Sequence, residues 1–175
     1  MPGQRMLARV ALGLAASAAT AVFATIGTAQ ATEQVTKLTQ AQAASQLSAA
    51  GVTHSSSGNC TSRTNSTCTS YEQINQSTVS GVITLKRASG CAINITGGTE
   101  TGHASGTYSH WNGYKVDIAH NSCIDAYIKN NFGYAGLRGD GYPQWKAASG
   151  NLYCDEGNHW DITYYTCGCS FTKSN

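Results

Sequence analysis

Ser109-His-Trp-Asn-Gly-Tyr-Lys-Val-Asp117 carries a histidine and an aspartate seven residues apart. A counterpart stands near the C-terminus, Glu156-Gly-Asn-His159, with a glutamate and a histidine three apart. If His110 lies in the loop entering a strand and Asp117 on that strand, Gly113 permits the turn between them, and both side chains converge. His159, at the start of a neighbouring strand, is placed to join them. Two imidazoles and a carboxylate with a fourth position open are the ligand set of a catalytic zinc (Zn2+) site rather than a structural one. Glu156 is then the carboxylate beside the water, placed to take its proton and pass it on.

The surrounding pattern predicts the fold. Leu38 to Ala50 reads as a helix, with Thr39 as N-cap and Gly51 just past its end. His54 to Cys68 is a Ser/Thr/Asn loop, and Thr69-x-x-Glu72 has the form of a capping box. Val79, Val82, Ile83 and, less regularly, Leu85 mark a helix that runs to Ala88 and stops at Gly90. Cys91 to Thr96 alternates and is β-branched, so it reads as a strand, and Tyr114 to Ile118 as a second. Ser122 to Phe132 is a helix capped by Asn121 or Ser122. Gly133 to Gly150 reads as a long Gly-rich connection, and long ordered loops often form binding walls. Leu152 to Asp155 and His159 to Tyr165 are two further strands, able to pair as a hairpin. The sum is an α+β fold: a small, mostly antiparallel sheet with flanking helices, stabilised by disulfides.

Composition sets the compartment. Arg5 and Arg9 precede an apolar run from Val10 to Ile26, and Ala29-Gln-Ala31 is a small-x-small cleavage site. Residues 1–31 therefore read as an export signal, and no other segment approaches the roughly 20 apolar residues of a spanning helix. Removing Arg5 and Arg9 leaves nine basic against nine acidic side chains. With no basic patch, a nucleic-acid partner is excluded. The expectation is a secreted or wall-associated monomer without a stable membrane anchor. All seven cysteines lie beyond residue 31, and in an oxidising compartment they read as disulfides. Cys60–Cys68 closes a short loop, Cys91–Cys123 ties a strand to a helix, and Cys154 pairs with Cys167 or Cys169. Each bridge is expected to contribute about 2–4 kcal/mol. One cysteine remains over.

Ser109-His110-x-x-Gly113-x-x-x-Asp117 followed by Glu156-x-x-His159 resembles the zinc D-alanyl-D-alanine peptidases, a superfamily that also holds the Hedgehog signalling domain. The Ile95 to His103 segment resembles the Hedgehog version in particular. The resemblance covers about Val79 to Tyr165. It implies that His110, Asp117 and His159 bind zinc, that Glu156 is the general base, and that the substrates are bacterial cell-wall (peptidoglycan) peptides. After the signal at 1–31, the chain is expected to divide into an N-terminal helix and disulfide loop at 32–78, outside the resemblance, and the zinc peptidase-like domain that the resemblance implies at 79–175. Two departures bear on this. The peptidases usually carry an Arg before the metal histidine, but Thr96-Gly-Gly-Thr99 has none, which favours endopeptidase activity over recognition of a free C-terminal carboxylate. Many members end in His-x-His, where this chain has His159-Trp-Asp161, so Asp161 stands as the alternative third ligand. A binding module that keeps the zinc scaffold without hydrolysis is the second functional expectation.

His103 reads as a groove residue or a surface loop histidine. Trp111, Tyr114 and Trp160 flank the ligands in sequence and are candidate substrate-binding walls, or core. Glu100 reads as a solvated loop carboxylate, and His120 and His54 as residues without a role in the site.

Overall fold

The structure, a computed structural model, describes residues 35–169 of the chain. The export signal read at residues 1–31 lies outside them. Among the described residues, three helices pack with a seven-stranded sheet in an α+β arrangement.

Helix α1 spans Gln40–Ala49. Thr39 caps it as expected: its hydroxyl accepts from Gln42 N at 3.3 Å, while Gln42 Oε1 accepts from Thr39 N at 3.0 Å. Its buried face is Ala43 and Leu47. Short strands β1, Lys37–Leu38, and β3, Ile74–Asn75, pair beside it. The Thr69-x-x-Glu72 segment does not open a helix. Thr69 donates instead to the carbonyls of Ser55 and Thr96, and Glu72 accepts from Gln40 N at 2.8 Å, at the start of α1. Helix α2 runs Gln76–Ser89 and buries Val79, Val82 and Leu85. Helix α3, Ser122–Asn131, is capped by Asn121, whose side chain accepts from Cys123 N and Ile124 N, and it buries Ile124 and Ile128.

The sheet begins with β2, Thr53–His54, which pairs in parallel with β4, Asn94–Gly97. Every other pairing is antiparallel: β4 with β5, Lys115–Ala119; β5 with β9, His159–Thr163; and β9 with β8, Leu152–Asp155. Strands β6, Gly133–Leu137, and β7, Pro143–Lys146, complete it. These two correct the expectation for Gly133–Gly150, which is an edge hairpin rather than a loop. Strands β8 and β9 form the expected hairpin.

Alternation in β5 and β9 separates the core from the site. Val116, Ile118, Trp160 and Ile162 are buried in the same core as the helices' apolar faces. Asp117 and Asp161 are paired in register between them, and alternate residues point to the other face. That face carries the candidate site.

Cys60–Cys68 and Cys91–Cys123 are disulfides, as expected. Cys154 is not bridged: it is buried and unpaired, and Cys167 and Cys169 are also free. The reason is placement, since Cys154 sits on β8 opposite Asp161, inside the sheet. The two bridges suggest an oxidising, extracellular environment. No helix among the described residues is long and apolar enough to cross a membrane.

Candidate metal centre

Four segments meet at one cleft of about 530 Å³. The β4–β5 loop supplies His103 and His110, β5 supplies Lys115 and Asp117, the β8–β9 hairpin supplies Glu156, His159 and Asp161, and the β6–β7 hairpin supplies Arg138.

His110 is fixed from both sides. Gly113 N donates to His110 O at 2.8 Å and Tyr114 N to Ser109 O at 3.1 Å, closing the turn before β5. Gly113 has φ +76°, so the sharp turn expected there requires a left-handed residue. His110 Nδ1 lies 2.7 Å from Gly98 O. A carbonyl only accepts, so Nδ1 carries a proton and donates to it, which leaves Nε2 facing the cleft, the usual arrangement behind a metal-binding histidine. Asp117 is packed by Gly97, where a Cβ would stand 2.4 Å from Asp117 Oδ2.

Around these two the other groups gather. His110 Nε2 is 3.2 Å from Asp117 Oδ1 and 3.7 Å from Asp161 Oδ1. His159 Nε2 is 3.5 Å from Asp117 Oδ1 and 3.4 Å from Glu156 Oε2. The three-residue spacing of Glu156 and His159 works through a turn, not a helix: Glu156 N donates to His159 O at 3.0 Å across the hairpin. His103 stacks on His110 with ring centroids 3.7 Å apart, and its Nδ1 is 3.7 Å from Asp117 Oδ2.

His103, His110 and Asp117 form a group that can hold a metal ion, with ligand atoms all within 4.8 Å of one another. Two observations test the fit. Asp117 Oδ1 and Asp161 Oδ1 are buried without a hydrogen-bond partner among the described residues, and such oxygens call for a cation. The electrostatics agree. Burial alone would lower the His110 pKa, but the Asp117 and Asp161 carboxylates push it up to about 10. The two carboxylates therefore hold positive charge at this point, as a proton on Nε2 that a bound cation would replace.

Some predicted residues lie elsewhere. Trp160 is fully buried in the core, and its Nε1 donates to Asp125 Oδ1 at 2.8 Å. Tyr114 packs edge-on to Tyr108 outside the cleft, and Trp111 is exposed beside it. Glu100 is not a solvated carboxylate. It is buried, accepts from Ser70 N and Gly98 N, and holds His103 Nε2 at 3.0 Å. Burial alone would raise its pKa, but His103 and the two amides hold it below the usual range. His120 bridges Asp125 and Asp155 away from the cleft.

Two cations were missed. Lys115 Nζ is 2.6 Å from Asp161 Oδ2, and Arg138 donates to the same oxygen at 2.9 Å and to Glu156 Oε1. Lys115 shares the face of Asp117 by strand alternation, a signal the sequence does carry. Arg138 reaches the site only through the edge hairpin.

Comparison with protein-family models, characterised proteins and solved structures finds no match.

Proposed function

We propose that the protein is a secreted zinc peptidase that cuts peptides of the bacterial cell wall, with its working centre in this cleft. The observation that carries the reading is the convergence on Asp117 Oδ1. His110 Nε2 and His159 Nε2 approach it at 3.2 and 3.5 Å, and the oxygen has no hydrogen-bond partner among the described residues.

His110 and Asp117 are common to every ligand set, and His159 is the third ligand. His103 flanks them, tied to Glu100. Zinc held at this point would supply Lewis acidity toward a carbonyl and toward a water. The chain's own residues do the rest. Glu156, 3.4 Å from His159, takes a proton at Oε2 from the attacking water and passes it to the leaving amine as the C–N bond breaks. Arg138 fixes Oε1 of Glu156, so the other oxygen is the one left for proton transfer. Lys115 and Arg138 together occupy Asp161 Oδ2, which makes Asp161 a holder of these two cations at the cleft floor. The cleft is open and polar, as suits an extended peptide.

The test is incubation with purified peptidoglycan, with and without chelator. Release of new amino termini that chelator abolishes, and that a Glu156→Ala protein fails to give, is the expected result. Full activity of Glu156→Ala would remove the role given to Glu156. Absence of any cleavage by zinc-loaded protein would favour the binding-module reading, which the Hedgehog-like segment supports.

A further inference from the structure

Beside the metal cleft, and sharing Gly102, His103 and Ala104 with it, lies a second hollow of about 270 Å³. Trp111 forms one wall and is 46 % exposed. An exposed tryptophan on a loop would ordinarily be free to change rotamer, but this one is clamped. The Arg63 guanidinium lies 3.7 Å from the ring centroid and also donates to the Trp111 carbonyl. Arg63 is itself fixed. Its Nε donates to Thr99 O at 3.3 Å, its carbonyl accepts from Thr101 N at 2.9 Å, and the Cys60–Cys68 bridge closes its loop. The disulfide loop outside the peptidase-like region thus serves to present an indole at a set angle.

The wall chemistry selects the occupant. No charge is left uncommitted in it. Arg63 is spent on the ring and two carbonyls, and Glu100 on Ser70 N, Gly98 N and His103. His103 is turned to Glu100 and the metal cleft. What remains is one aromatic surface with small polar groups around it. Among the described residues Thr101 Oγ1, Ser105 Oγ and Asn112 Oδ1 make no protein hydrogen bond, although Asn112 Nδ2 is held by Gly106 O and Thr107 O. A fixed charge has no counter-ion here. A neutral ring with an apolar face and a hydroxyl or amide edge has both partners it needs, and the volume lies just under the roughly 300–1,000 Å³ of drug-sized ligand sites.

We infer that this hollow is a saccharide subsite, in which Trp111 stacks on a sugar ring of the glycan strand whose attached peptide enters the metal cleft. The identity of the strand rests on the peptidase reading. The binding of a neutral sugar requires neither metal nor cleavage.

The probe is an N-acetylglucosamine tetramer, followed by ligand-observed NMR with chelator present. Wild-type protein binds it saturably. Trp111→Ala, checked for an unchanged circular dichroism spectrum, weakens binding about tenfold or more, Trp111→Tyr retains most of it, and Arg63→Ala loses part. On wall substrates, Trp111→Ala raises KM for glycan-linked peptide. A tetramer that does not bind, or that binds Trp111→Ala as well as wild type, overturns the subsite, as does a free peptide that binds at Trp111 in its place. If the tetramer binds through Trp111 but no peptide is cut, the subsite stands and the peptidase reading falls.

Discussion

Asp117 and Asp161 sit directly opposite each other on the β5–β9 ladder, and each keeps one carboxylate oxygen buried without a hydrogen-bond partner. Like charges in register destabilise a sheet unless a cation lies between them. Here the shared neighbour is His110 Nε2, and the two differ in what else they hold. Asp161 is occupied by Lys115 and Arg138, whereas Asp117 faces His110 and His159. On the proposed reading this favours His159 over Asp161 as the ligand beside His110 and Asp117, with His103 flanking them. His159→Ala is expected to lose zinc, and Asp161→Asn to keep about one zinc per chain with weaker retention. Elemental analysis after dialysis reads both, and the reverse order would make Asp161 the ligand.

Glu100 anchors the loop that carries His103. Removing its carboxylate leaves the buried amides of Ser70 and Gly98 without an acceptor. An unsatisfied buried donor costs about 1–3 kcal/mol, so Glu100→Ala should lose ~3 kcal/mol of unfolding free energy in a denaturant titration. Glu100→Gln, which keeps an acceptor, should lose less. Equal stability of Glu100→Ala and wild type would mean that the loop is held by other contacts.

Asp155 sets a pH dependence away from the site. Burial alone would raise its pKa, but Lys129 at 3.0 Å, the Gly157 amide and His120 hold it below the usual carboxylate range. A depressed carboxylate contributes stability above its unfolded pKa of about 3.9, and that stability is lost as pH falls through the folded value. The acid side of the stability curve should therefore be shallower in Asp155→Asn, with little change near neutrality beyond the lost ion pair. Parallel acid limbs for the two proteins would contradict this.

The free thiols differ in reach. Burial pushes the Cys154 thiol up to about 11, while Cys169 is exposed. Since the thiolate is the nucleophile, iodoacetamide at pH 8 should label Cys169 in the folded protein and reach Cys154 only after unfolding. Mass spectrometry of the labelled peptides decides it, and rapid native labelling of Cys154 would show that β8 opens.

Much of the fold is legible in the sequence, because Thr39, Gly90, Asn121 and the alternation of Val116, Ile118, Trp160 and Ile162 act locally. Thr69-x-x-Glu72 misleads because Glu72 caps a helix 32 residues earlier in the chain. The β6–β7 hairpin hides because glycines interrupt its pattern and its large side chains Tyr134 and Leu137 stay in solvent. In the site, His110 and Asp117 follow from one turn and one strand. The placing of His103 depends on a buried Glu100, and that of Arg138 on an edge hairpin, neither of which leaves a local signature.

Zinc stoichiometry of the purified protein, loaded and then dialysed, tests the metal centre most directly. One zinc per chain in wild type, with none in an Asp117→Ala protein that retains its circular dichroism spectrum, is the expected result. A folded wild-type protein that retains no zinc, or an Asp117→Ala protein that retains as much as wild type, would contradict it.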